Sequence, residues 1–183
     1  MTANILPTAI TEPPLDADEV ETLLFTLDRS RAQFAWKVSG LGAEALRRPF
    51  PPSAMTLGGL IKHLTFVEDD FAHVRLRGQH PPMRWRPMMA DGDWPFTSAA
   101  NDDPAELYAH WTEAVERARG VWRELLADGG GDRLSEWEPL PGQHPNLRRL
   151  AADLKEEYAR HTGHADLFRE AVDGLVGEDP PQP

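Results

Sequence analysis

Apolar residues recur at steps of three and four along four separate stretches of the chain, the spacing that lines them up on one face of an α-helix. In the first stretch Val20, Leu23, Leu24, Leu27, Phe34 and Val38 keep this period; Asp16 or Asp18 can cap the helix, and Gly40 or Gly42 ends it. Thr56 can cap a second helix carrying Leu57, Leu60, Ile61, Leu64, Val67, Phe71 and Val74 as far as Gly78. Asp103-Pro104 sets a capping residue before a proline at the first helical position, and Leu107, Trp111, Ala114, Ala118, Val121, Trp122 and Leu125 carry a third helix to Gly129. Asn146 opens a fourth, with Leu147, Leu150, Leu154, Glu157, His161, Ala165, Phe168, Val172 and Leu175 in register toward Gly174 or Gly177. No segment alternates with period two. Four long amphipathic helices, each with a stripe to bury, predict an all-α fold, a four-helix bundle.

Two features interrupt this pattern. Residues 1–14 and 178–183 are proline-rich and polar and are expected to be frayed tails, which leaves a single domain over 15–177. The connection between the second and third helices, 79–102, is far longer than bundles need and carries Trp85, Met88, Met89, Trp94 and Phe96. Such a segment either plugs one end of the bundle or forms the wall of a binding site.

Polar residues in the apolar seam carry the candidate chemistry. Glu157 and His161 occupy stripe positions of the fourth helix between Leu154 and Phe168 and are expected to face the core. Residues four apart lie one above the other, so a carboxylate and an imidazole there can converge on one point, as metal ligands in bundle cores do. His63, flanked by Leu60, Leu64 and Val67, borders the stripe of the second helix, and His164 extends the fourth-helix face by a turn. A His/Glu/His set with open positions suits a catalytic divalent-metal site for zinc, nickel or non-haem iron. The alternative is a pair of buried neutral histidines with Glu157 paired to Arg31, which also falls on its helix's stripe. An unpaired buried carboxylate costs several kcal/mol, so three ionisable groups at one depth favour a shared partner. Arg31 is then the counter-charge of Glu68 or Glu157, or a binder of an anionic substrate at the bundle mouth. His73, His80, His110 and His144 lie off the apolar faces or in loops and are read as solvated.

Composition removes other classes. With 19 Lys+Arg against 30 Asp+Glu the net charge is −11, which disfavours nucleic acid or an anionic membrane as partner. The chain has no cysteine, so disulfides, thiolate metal sites and cysteine nucleophiles are excluded together, and any thiol must come from solution. There is no apolar run long enough to span a membrane and no leader-like N-terminus, so a cytoplasmic protein is expected. Gly-x-Ser-x-Gly, His-Glu-x-x-His and dinucleotide-binding glycine patterns are all absent, and Gly58-Gly59 reads as a place of close helix packing.

The segments TLGGLIKHL, from Thr56, and EYARHTGHADLFRE, from Glu157, resemble the DinB/YfiT-like superfamily, and Asp93-Trp94-Pro95-Phe96 and Leu27-Asp28-Arg29-Ser30-Arg31 resemble the branch that includes mycothiol S-transferases. The resemblance implies a four-helix bundle, often dimeric, with a divalent metal, commonly zinc or nickel, on His63, Glu157 and His161, and His164 as a further ligand or a donor behind the ligands. It also implies a low-molecular-weight thiol such as mycothiol, held as thiolate, attacking an electrophile under the loop of Trp85 and Trp94, or adding reversibly to a cis-alkene as in maleylpyruvate isomerases. A non-catalytic, stress-associated metal-binding bundle is the alternative from another class.

Overall fold

The computed structural model describes residues 5–182. Six α-helices form the body: α1 (Glu19–Val38), α2 (Ala43–Arg47), α3 (Leu57–Asp69), α4 (Trp94–Ser98), α5 (Pro104–Ala127) and α6 (Leu147–Asp173). Among the described residues there is no strand, only isolated bridges in turns. The four long helices α1, α3, α5 and α6 make the predicted bundle, with α1 packed chiefly against α6 and α3 against α5.

The helix starts follow the capping chemistry of the sequence. Asp18 accepts from the Glu21 N–H at 2.9 Å, Thr56 from Gly59 at 3.0 Å, Asp103 from Ala105 at 2.8 Å and Asn146 from Arg149 at 2.9 Å, each satisfying a backbone donor that the first turn leaves without a partner. The second helix does not run evenly to Gly78. It passes at Asp70 into a π-helical segment, Asp70–Arg75, which keeps Phe71 and Ala72 in the core while shifting the face that follows. Gly174, at φ +79°, closes α6 in the left-handed conformation that glycine adopts without strain.

The long connection 79–102 is mostly helical. It holds a 3-10 turn, Met83–Met89, then α4 and a second 3-10 turn, Ala99–Asn101. Trp85 is buried and Phe96 packs against the core, whereas Met89 points to solvent, so the segment plugs with some of its apolar residues and exposes others.

The terminal segments make contacts with the body. Residues 1–4 and 183 of the expected tails lie outside the described residues. Leu6 is buried in the main core and its N–H donates to Ser39 Oγ at 2.8 Å. Asp179 accepts from Arg29 at 2.7 Å and from Gln33 at 2.8 Å. Burying one leucine is worth about 1.5–3 kcal/mol, enough to hold a segment whose composition is otherwise that of a tail.

Candidate metal centre

His63 on α3 and His161 on α6 face the same carboxylate. The two Nε2 atoms lie 3.6 Å and 3.5 Å from Glu157 Oε2, and one ligand atom from each residue falls within 4.8 Å of the others. The rings meet edge to face, 4.5 Å between centroids. Glu157 and His161 share a face because they are one turn apart on α6; packing of α3 along α6 brings His63 to them. The side chains of His63, Glu157 and His161 are 18%, 37% and 10% exposed, so the cluster sits at the bundle's margin, with the carboxylate reaching in from the rim rather than facing the core as the stripe suggested. One side is therefore open to a small molecule.

Electrostatics favour ligating forms. The Glu157 carboxyl is held well below the usual carboxylate range, first by His161 and then by His63, against the opposing effect of partial burial. Burial, helped by His161 and Arg160, pushes the His164 imidazole below its ordinary value. His164 Nδ1 lies 3.4 Å from His161 Nδ1, on the side of the His161 ring turned away from Glu157. It thus stands behind the triad, where a partner to the second ring nitrogen fixes the tautomer of a metal-ligating histidine. His63 Nε2 is buried with no hydrogen-bond partner. With Glu157 and His161 it completes a group of three side chains that could hold a metal ion.

Residues 22–174 match the family described as mycothiol-S-transferase, over the span that holds all four long helices but for the first turn of α1. The chain belongs to the mycothiol-S-transferase family. That family is part of the DinB/YfiT-like superfamily, in agreement with the segments around His63 and Glu157. No curated protein matches the chain. No helix among the described residues is long and apolar enough to cross a membrane.

The remaining site expectations separate in the structure. Arg31 is not at the mouth. Its Nε and Nη2 donate to Glu68 at 2.7 and 2.8 Å, in a buried network that Tyr158 joins by donating to Glu68 at 2.6 Å, and its Nη1 donates to the partly exposed Asp28 at 3.0 Å. Its side chain is 2% exposed and pairs two-point with Glu68, not Glu157, so it is not placed to bind an anionic substrate. Trp85 and Trp94 meet edge to face, 6.1 Å apart, and line a cavity of about 190 Å³ with Lys62, Thr65 and Leu107; none of His63, Glu157 and His161 lines it. The aromatic residue that reaches the triad is Phe96, stacked on His63 at 5.0 Å and 6.4 Å from His161. Loop residues have no periodicity to follow, so nothing in the spacing distinguished Phe96 from Trp85 or Trp94.

Proposed function

We propose that the protein transfers a low-molecular-weight thiol, mycothiol in keeping with its family, to a small electrophile, and that His63, Glu157 and His161 hold a divalent metal, zinc or nickel, for this reaction. The observation that carries the reading is the convergence of two imidazole Nε2 atoms on Glu157 Oε2 at 3.6 and 3.5 Å, with His63 Nε2 otherwise unpartnered. A divalent ion on three protein ligands keeps coordination positions open and lowers the pKa of a thiol that reaches it. The sulfur nucleophile belongs to the co-substrate, because the chain has no cysteine. Glu157 contributes the negative charge and the two histidines bind as neutral imidazoles, with His164 orienting His161. The partial exposure at Glu157 admits both reactants from one side. In the net substitution the thiol S–H proton is released to solvent, a sulfur–carbon bond forms at the electrophile and the leaving group departs with its bonding electrons; on an alkene, the thiol proton ends on the neighbouring carbon. The partners in this reading are small molecules met in the cytoplasm.

The test is to load the purified protein with zinc or nickel and measure conjugation of mycothiol to monochlorobimane above the uncatalysed rate, with a cis-alkene diacid in parallel for isomerisation. Metal-dependent conjugation that is lost in His161→Ala is the expected result. A metal-loaded protein that turns over neither kind of electrophile is instead a metal-binding bundle without catalysis.

A further inference from the structure

A ligating histidine is usually oriented by a hydrogen bond from its second ring nitrogen. His161 has such a neighbour in His164, 3.4 Å away. His63 Nε2 has no hydrogen-bond partner among the described residues, and what lies on the His63 ring is Phe96, nearly parallel at 23° with centroids 5.0 Å apart. Phe96 is seated closely against Gly59, which stands one turn before His63 on the same face of α3. A Cβ at Gly59 would lie 3.1 Å from Phe96 Cδ1 and 3.3 Å from Phe96 Cα, so the contact involves α4 backbone that cannot yield as a side-chain tip would.

The helix that carries Phe96 is itself fixed at both flanks. Lys62 Nζ sits 4.1 Å over the Trp94 ring and donates to Asp102 at 2.6 Å, which ties both ends of the α4 region to the residue beside His63. Trp85, against which Trp94 packs, donates through Nε1 to the buried Asp69 carboxylate at 2.7 Å, and Arg84 and Arg117 donate to the same carboxylate.

We propose that Phe96, seated on Gly59, is a positioning residue: its ring, stacked on His63, fixes the orientation of the imidazole and covers that face of the triad. The proposal rests on the metal-site reading above. It predicts that Phe96→Leu, which keeps an apolar group but loses the flat ring, weakens zinc binding in chelator competition about tenfold, the size of effect seen when a partner behind a metal ligand is removed. Phe96→Tyr keeps the ring and restores it. In the metal-free protein the His63 ring protons, shielded by the stacked ring, should shift downfield in Phe96→Leu and not in Phe96→Tyr, a signature that general destabilisation does not produce. Gly59→Ala, which displaces α4 while leaving Phe96 in the chain, should reproduce the zinc and NMR effects and serves if Phe96→Leu fails to fold. Wild type and Phe96→Leu binding zinc equally would overturn the proposal, as would His63 signals unmoved by loss of the ring. A wild type that holds no zinc defeats the metal reading itself, and this proposal with it, and that outcome is plainly distinct from equal binding.

Discussion

Arg31 and Glu68 form a two-point ion pair inside the bundle, Nε to Oε1 at 2.7 Å and Nη2 to Oε2 at 2.8 Å, with Glu68 fully buried. The pair joins α1 to α3, and Tyr158, next to Glu157 in the chain, donates to the same carboxylate and adds α6. The relative placement of His63 and Glu157 is therefore braced from beneath by a charged network. Arg31→Met should destabilise the fold by about 3–5 kcal/mol, since Glu68 is left buried without its counter-ion. Arg31→Met combined with Glu68→Leu should recover much of that loss. Urea unfolding of the two variants checks both values, and a single variant as stable as wild type would show that the network carries no weight.

The wild type should bind about one divalent ion per chain through its three ligands. His63→Ala and His161→Ala should each release it and leave the helical content unchanged, because a body of this size folds on its apolar core. Metal analysis by mass spectrometry together with circular dichroism decides the matter. Full metal loading in both variants would remove these residues from the site.

Glu157→Gln keeps the shape of the side chain but not the charge that balances the ion. Added zinc should raise the melting temperature of the wild type more than that of this variant, since binding to the native state stabilises by mass action. Equal shifts would mean that the carboxylate is not a ligand and would bring His164 forward as the third one.

His164→Ala should weaken zinc binding about tenfold without abolishing it, a smaller effect than loss of a ligand, because His164 meets the far nitrogen of His161 at 3.4 Å rather than the triad itself. Isothermal titration separates the two cases: complete loss of binding would place His164 among the ligands.

Acid sensitivity should come in part from Asp28. Burial alone would raise its pKa, but Arg119 and Arg31 outweigh that and hold it below the ordinary 3.8. With the folded value below the unfolded one, its stabilising contribution is complete above the unfolded pKa and disappears as pH falls through the folded one. Asp28→Asn should be less stable than wild type at neutral pH, and the gap should close below about pH 4. Thermal melts from about pH 2, below the usual Asp pKa of about 3.9, to about pH 7 read this directly, and a gap that stays constant would rule Asp28 out.

The four long helices, their caps at Asp18, Thr56, Asp103 and Asn146, and the placement of Glu157 and His161 four apart on α6 were all legible in the sequence, because each depends on neighbours within one or two turns of the same helix. The absence of cysteine likewise settled from composition alone that any reacting thiol must be brought in. The partner of Arg31, by contrast, was open between Glu68 and Glu157, and only the rotation of α1 against α3 chose Glu68. The placement of Glu157 on the rim, the anchoring of Leu6, and the choice of Phe96 rather than Trp85 or Trp94 as the ring beside His63 were likewise decided by tertiary packing. Helical periodicity fixes directions around one axis and says nothing of how that axis is turned toward the next, and a connection without periodicity carries no directional signal at all. Contacts between elements become definite only when side-chain shapes, down to the missing Cβ at Gly59, settle how closely the helices approach.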